Sequence, residues 1–414
     1  MNIIYSALVL TVWFMSTFFV ILVLLVVFDR RKHMSSSVEV SNLPRVSIIL
    51  PAYNEEEGIY AALESLAAID YPKSLYEILA VNDGSSDQTS ERIRSFVANH
   101  KDINIRFIDR KKNCGKARSL NEGIKAATGD YVACMDGDSI VDSDILSKTV
   151  GYFQDPKVAS VSVRVNVRNP RTLLEKIIDV EFSVGLSTSL KVLSFLDSMH
   201  VTPGPFSIYR KRVLSELGGF DEENITEDME IALRMQKAGY RLVFCLSTSV
   251  STTVPTTLSS LYKQRRRWYS GSLLTLWQHR DIFSRKDAGL FRMFLLFNYA
   301  LIFLGLGLFF YSIYLYVTNG LKAYNYLRLI DYDILNTPLV FAFDLLSLDI
   351  FTTLAVTSVL ITVVLVSVSM GLLKRDIRTN LSGFLGYLFF FVFYQIFWIN
   401  SLYNVVRKRH IKWR

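Results

Sequence analysis

Four acidic positions in the middle of this chain stand where a carboxylate could do chemistry: Asp83, the pair Asp136 and Asp138, and Asp228. Asp83 closes the apolar run EILAVN and precedes Gly84, and a carboxylate at such a strand end can fix a nucleotide base. Asp136 and Asp138 follow the run YVACM two residues apart. Hard oxygen donors so placed suit Mg²⁺ or Mn²⁺ bridging a diphosphate. Asp228 follows Thr226, the expected N-cap, and Glu227 at the head of a helical pattern that ends at Gly239, with Ile231, Ala232 and Met235 on its inner side. The helix dipole there favours an ionised acid near neutral pH, as a general base requires. Singly, each position also has an ordinary explanation, since Asp is a common turn residue and acids are common in a first helical turn.

Basic and aromatic residues add a second set. Lys116 opens the stretch GKARSLNEGIKAATGD, near a helix amino end where phosphate oxygens are welcome. In QRRRW, Gln264, Arg267 and Trp268 share one helical face through their i, i+3, i+4 spacing. Arg267 can grip a diphosphate bidentately and Trp268 offers a flat surface to a sugar. The same five residues also fit a positive membrane anchor with an interfacial Trp.

These residues need a scaffold. Between Pro44 and about Asp130 the runs VSIIL, EILAVN, IRFID and YVACM alternate with helical stretches, which predicts an α/β, Rossmann-like domain with a mostly parallel sheet. Ligands bind such sheets at the carboxyl ends of the strands, where Asn54, Glu55, Asp83, Asp136 and Asp138 collect.

The rest of the chain is apolar. Half of all residues are hydrophobic and mean hydropathy is +0.27, with the excess concentrated in four charge-free runs: Met1 to Phe28, Met293 to Leu321, Ile350 to Leu373 and Thr379 to Val406. Each is long enough to cross a bilayer as helix. The first lacks the basic start and cleavage site of a signal peptide, so it reads as an uncleaved anchor. Arg30, Arg31 and Lys32 follow an uncharged amino end, which places the next segment in the cytoplasm. The expected organisation is an anchor (1–32), a cytoplasmic catalytic domain (44–285) and a C-terminal membrane region of about three helices with a basic tail (286–414), in a multi-pass protein of the cell membrane. Four full crossings would leave the tail RKRHIKWR outside, against the positive-inside rule. Three resolutions stand: an external tail, a re-entrant fourth run, or a further partial crossing over Leu339 to Ile350, where Asp344 and Asp349 oppose a full one.

Net charge is +8, but the basic residues flank apolar runs or sit in the Arg cluster, so a lipid bilayer and a nucleotide diphosphate are the expected partners and nucleic acid is not. The three cysteines form no C-x-x-C pair, which argues against a zinc site or disulfide framework. The absence of ionisable side chains from the four runs argues against a transporter.

In order from Pro51 to Gly271, the segments PAYNEE, NDGSSD, NCGKARSLNEG, MDGDS, GPFSIYR, TEDME and QRRRW resemble the membrane-bound branch of the inverting family 2 glycosyltransferases of GT-A fold. That branch includes the cellulose, hyaluronan, chitin and poly-N-acetylglucosamine synthases. The resemblance implies a UDP-sugar donor held by Ala52 or Tyr53, Glu55, Asp83, Lys116, Asp136, Gln264 and Arg267, with Mg²⁺ or Mn²⁺ on Asp136 and Asp138. It makes Asp228 the general base, with Glu227 beside it, and puts Gly204 and Trp268 at the acceptor. A growing polysaccharide is the implied acceptor. The alternatives are one sugar added to a membrane lipid, as ceramide glucosyltransferases do, and a catalytically silent UDP-sugar-binding regulator; partner subunits are compatible with all three. Gly137 departs from relatives that often carry alanine, a change expected to be harmless. The membrane region is smaller than in the largest synthases, and the apolar face Leu173, Leu174, Ile177, Ile178 and Phe182 fits either an interfacial helix or a core helix.

Overall fold

The computed structural model describes residues 3–40, 42–285, 289–329 and 350–407. The stretch from Leu339 up to Ile350 and the tail beyond Arg407 lie outside the described residues. The chain divides into two compact units, Met1–Leu24 with Leu295–Leu365, and Leu25–Phe294 with Val366–Arg414.

Helix α1 (Ile3–Asp29) opens the chain and a linker follows it. The linker is pinned: Met34 is buried, and the hydroxyl of Tyr152 donates to the Ser36 carbonyl while Gln154 Nε2 donates to that of Glu39 at 2.9 Å. A run of alternating elements then builds the sheet, with β1 (Val46–Ala52), α2 (Ile59–Ala67), β2 (Tyr76–Asp83), α3 (Thr89–Asn99), β3 (Ile105–Arg110), α4 (Lys116–Ala126) and β4 (Tyr131–Met135). All four strands are parallel, in the order β3-β2-β1-β4. Every residue of β1 and β2 is buried, which is why they read as unbroken apolar runs rather than alternating ones. Gly123 lets α4 close on β1, since a Cβ there would lie 2.5 Å from Ile49 Cγ2. The edge strand β3 is partly exposed and carries Arg106, Asp109 and Arg110.

The second half of the sheet was not legible as strands. It comprises β5 (Ile140–Val141), β6 (Val158–Val167), β7 (Phe206–Arg210) and β8 (Arg241–Thr252), completing the order β3-β2-β1-β4-β7-β6-β8-β5. Strand β7 runs antiparallel between β4 and β6, so the sheet is mixed. An antiparallel strand enters where its neighbour ends. The loop before β7 therefore lies at the carboxyl end of β4, and the Asp136 N–H donates to the Pro205 carbonyl at 3.4 Å.

Around this sheet lie α5 (Ile145–Thr149), α6 (Leu173–Phe182), a π-helical stretch over Ser183–Ser189, α7 (Leu190–Phe195), α8 (Lys211–Glu216), α9 (Glu227–Lys237) and α10 (Leu258–Gln278). Beyond them come α11 (Gly289–Leu329), α12 (Ile350–Leu372) and α13 (Leu381–Val406). Helices α1, α11 and α12 are long and apolar enough to cross a membrane. Within the first unit, Trp13 Nε1 donates to the Leu354 carbonyl at 3.0 Å and Phe18 lies 5.9 Å from Phe297.

The fourth apolar run behaves differently, being bent by 51° between Phe390 and Phe393 and docked against α6 and α10. Gly383 and Gly386 permit the close approach: a Cβ would fall 2.5 Å from the Lys176 carbonyl oxygen at the first and 2.7 Å from Ile177 Cδ1 at the second. Tyr269 of α10 stacks on Trp398 at 4.3 Å, and Arg375 reaches back to pair with Asp179 and to donate to Asn166 Oδ1 at 2.8 Å. Helix α13 thus lies against α6, where Ile177, Ile178 and Phe182 are buried while Leu173 stays exposed.

Candidate active site

The strand ends supply the first layer. Asn54, in the left-handed region at φ 53°, starts the loop after β1, and its Oδ1 accepts the Ser86 N–H at 2.9 Å from the loop after β2. The Glu55 N–H donates to Thr89 Oγ1 at 2.9 Å. These bonds tie together the loops holding Tyr53, Glu55 and Asp83, next to buried Ala52. Asp83 is itself buried: Oδ1 accepts the Cys114 N–H at 3.0 Å, Oδ2 accepts the Gly115 N–H at 2.8 Å, and Arg110 lies 3.2 Å from it. It fixes the loop that launches α4. Gly115, at φ 96°, makes the turn, and Lys116 is the first helical residue.

Lys116 projects into the centre of the site. Its Nζ lies 2.6 Å from Asp136 Oδ1 at the end of β4 and 3.0 Å from Glu227 Oε1 in the first turn of α9. Burial opposes its charge, but Asp136, Glu227 and Asp228 together hold the ammonium firmly protonated. Gly204 roofs this contact, since a Cβ there would stand 2.9 Å from Lys116 Nζ and 3.3 Å from Asp136 Oδ2.

Asp138 lies beside this triad, accepting from Thr252 Oγ1 at 3.3 Å and from the Thr253 hydroxyl. Burial and then the Asp136 charge push its carboxyl upward, against the two threonines. Gly137 packs under the first strand loop, where a Cβ would meet the Pro51 carbonyl oxygen at 3.1 Å and Glu55 Cγ at 3.4 Å. Alanine there requires a small shift of the β1 loop.

Asp228 is anchored through its backbone. Its carbonyl accepts from Thr202 N at 3.2 Å and Thr202 Oγ1 at 2.9 Å, while Oδ1 accepts its neighbour's N–H, that of Met229, at 2.8 Å. Burial and then Glu227 push the carboxyl up to about 6, against the lowering pull of Lys116 and Arg267. The helix-dipole argument alone points lower; desolvation outweighs it.

Arg267 comes from α10, close enough for its charge to act on Asp228. Gln264 shares its helical face but receives an N–H from Arg265 at 3.1 Å. Trp268 is half-buried, with the Arg265 guanidinium 4.2 Å from its ring centroid. Arg265, absent from the sequence-derived site, is fully buried and pairs with Glu181 at 2.8 Å. It fastens α10 to the α6 segment, and only its place in the Arg run hinted at such a role. Thr202, Thr252 and Thr253 were likewise not singled out, because isolated threonines in loops carry no spacing signal.

The structure therefore gathers Lys116, Asp136, Glu227, Asp228, Gly204 and Arg267 around one point, with Asp138 and Glu55 alongside. Among the described residues, no group of three or more His, Cys, Asp or Glu side chains forms a metal cage. The site thus sets carboxylates and a buried lysine at the carboxyl ends of strands in a Rossmann-like sheet of GT-A type. Residues 44–271, more than half the chain, match the glycosyltransferase-like family 2, and the chain belongs to that family.

Among curated proteins it is similar to the poly-beta-1,6-N-acetyl-D-glucosamine synthase of Staphylococcus aureus (strain COL), 34% identical over 260 residues. The match takes in 63% of this chain and 61% of that protein's length. The synthase of the same name from Staphylococcus epidermidis is 32% identical over 263 residues, covering 62% of this chain and 63% of the relative. Among solved structures, a mannosyltransferase from Pyrobaculum calidifontis in complex with GDP-Man and Mn²⁺ superposes with a TM-score of 0.63 at 18% identity, covering 98% of this chain and 100% of that one. At that identity the likeness is one of fold.

Proposed function

We propose that the chain transfers N-acetylglucosamine from UDP-N-acetylglucosamine to the end of a growing polysaccharide, inverting the anomeric centre. The observation that carries this reading is the meeting of Lys116 with Asp136 and Glu227 next to Asp228. The product named for the staphylococcal relatives supports both the sugar and the polymer.

Asp228 takes the proton of the acceptor hydroxyl as that oxygen attacks the anomeric carbon and the bond to UDP breaks. Lys116 and Arg267 face the negative charge that collects on the departing diphosphate. Glu227 aims Lys116 and keeps it charged. Asp83 orients the base-side loop, and Tyr53, Ala52, Glu55 and Gln264 line the donor. Trp268 presents a ring to the acceptor sugar, and Gly204 belongs to the same acceptor side.

Asp136 and Asp138 would hold Mg²⁺ or Mn²⁺. The two carboxylates stand two residues apart beyond β4, a hard-oxygen pair suited to such an ion. When bound, the ion neutralises the diphosphate as a Lewis acid.

The catalytic segment 44–285 faces the cytoplasm between the anchor 1–32 and the membrane region 286–414. Three crossings by α1, α11 and α12, with bent α13 lying against the catalytic unit, put the basic tail on the cytoplasmic side and satisfy the positive-inside rule.

Purified full-length protein supplied with a panel of UDP-sugars and Mg²⁺ or Mn²⁺ tests the reading by mass spectrometry of products. A ladder of N-acetylglucosamine oligomers is expected. One sugar on a lipid would replace it with the lipid acceptor, and UDP binding without turnover on any acceptor would leave a silent regulator.

A further inference from the structure

The N-cap of α9, Thr226, does not cap its helix with its side chain. Its hydroxyl is turned toward α10 instead, 3.1 Å from Thr275 Oγ1 and 3.1 Å from Asn224 Oδ1. Asn224 closes the group, its Nδ2 donating to Thr275 Oγ1 at 2.9 Å and its Oδ1 accepting the Thr226 N–H at 2.9 Å. One turn earlier on α10, Gly271 lies so close that a Cβ would stand 2.4 Å from Thr226 Cγ2. One turn later, His279 Nε2 lies 2.9 Å from Glu230 Oε1, and Glu230 is held by Arg234. Gly271, Thr275 and His279 thus form an i, i+4, i+8 ridge seated on Thr226 and Glu230, themselves i, i+4 on α9. All five are buried.

The position of this ridge gives it its meaning. Thr226 is two residues from Asp228, and Gly271 is one helical turn from Arg267. The helix bearing the base and the helix bearing the diphosphate arginine touch immediately beside both groups. A hydroxyl diverted from its capping bond is a local cost in α9, offset by a bond that fixes an inter-helix distance.

We propose that the Gly271–Thr275–His279 ridge sets the placement of Asp228 against Arg267, with Thr275 as a positioning residue for proton transfer. This rests on the base role given to Asp228 above. The charged and titratable groups acting on Asp228 are Glu227, Lys116 and Arg267, with Tyr209 of β7 nearby. Only Arg267 moves when α10 moves.

Full-length Thr275→Val, Thr275→Ser and Gly271→Ala are compared with wild type and Asp228→Asn in UDP binding, UDP release from UDP-N-acetylglucosamine with Mn²⁺, and the pH profile of kcat/KM. Thr275→Val should keep UDP affinity within about twofold and lower kcat by about ten- to a hundredfold. Its acid limb should move to higher pH, because a receding Arg267 no longer holds Asp228 down. Thr275→Ser should restore most of the rate, and Gly271→Ala, whose Cβ would press on Thr226 Cγ2 and Oγ1 from the other side, should reproduce the loss and the shift. Wild-type kcat and profile in Thr275→Val and Gly271→Ala would overturn the proposal. So would loss of UDP affinity in both, which would show a contact that holds the fold rather than one distance. No turnover by wild type, or full turnover by Asp228→Asn, would instead sink the reading of Asp228 as base.

Discussion

The two sides of the site are held by different means. On the proposed donor side, Asp83 is gripped by the N–H groups of Cys114 and Gly115, and Asn54 by that of Ser86, all in loops of the parallel half of the sheet. On the proposed transfer side, polar side chains meet across long stretches of chain: Lys116 with Glu227, Arg265 with Glu181, His279 with Glu230. Side chains anchored by backbone N–H groups hold the strand-end loops in place. Paired side chains on separate helices can be displaced relative to one another. Substitutions on the first side should therefore show in donor binding, and those on the second in turnover.

The largest expected effect tests that division directly. Asp228→Asn should lower transfer by about a hundredfold or more while UDP binds nearly as before, since a base acts on the acceptor proton. Calorimetric titration with UDP beside a transfer assay separates the two quantities. Loss of UDP affinity at an unchanged rate per bound donor would erase the distinction.

Lys116→Met should blur it, because this side chain belongs to both sides. Removing the ammonium leaves buried Glu227 and partly exposed Asp136 without their partner, at a cost of about 3 kcal/mol or less. Both thermal stability and UDP affinity should fall, as read by a thermal melt with and without UDP. A melting temperature equal to wild type would mean that the three groups meet only loosely.

The pH dependence sharpens the transfer side alone. The Asp228 carboxyl is pushed up to about 6 and the base must be ionised, so kcat/KM should fall as pH drops through about 6 and level off above it. For stability the sign is opposite: a folded-state value above the unfolded one favours the native state at low pH, and this contribution fades as pH rises through about 6. An acid limb near 4 in the rate profile would place the base elsewhere.

Smaller effects follow at the edges. Trp268→Ala should shorten the products, through lost sugar stacking of about 1 kcal/mol, with donor binding unchanged. Product length by mass spectrometry reports it, and an unaltered ladder would take the ring out of the acceptor site. Gly137→Ala should have the least effect, about 1 kcal/mol of UDP affinity or less, as its Cβ presses the Pro51 carbonyl.

The sequence by itself determined the parallel half of the sheet. β1 to β4 and the helices between them are local units whose hydrophobic periods can be read in short windows, and their strand-end acids follow from connectivity alone. The three membrane-length helices α1, α11 and α12 were legible for a similar reason, since length and lack of charge suffice. Tertiary structure decided the rest. It inserted β7 antiparallel beside β4, brought Gly204 over Lys116, and laid the fourth apolar run on α6 and α10 through Gly383 and Gly386. It also buried Arg265 against Glu181 and turned Thr226 toward Thr275. These contacts join residues dozens to hundreds of positions apart, and a hydropathy period or a motif spacing carries no information about which distant helix will cover a given face.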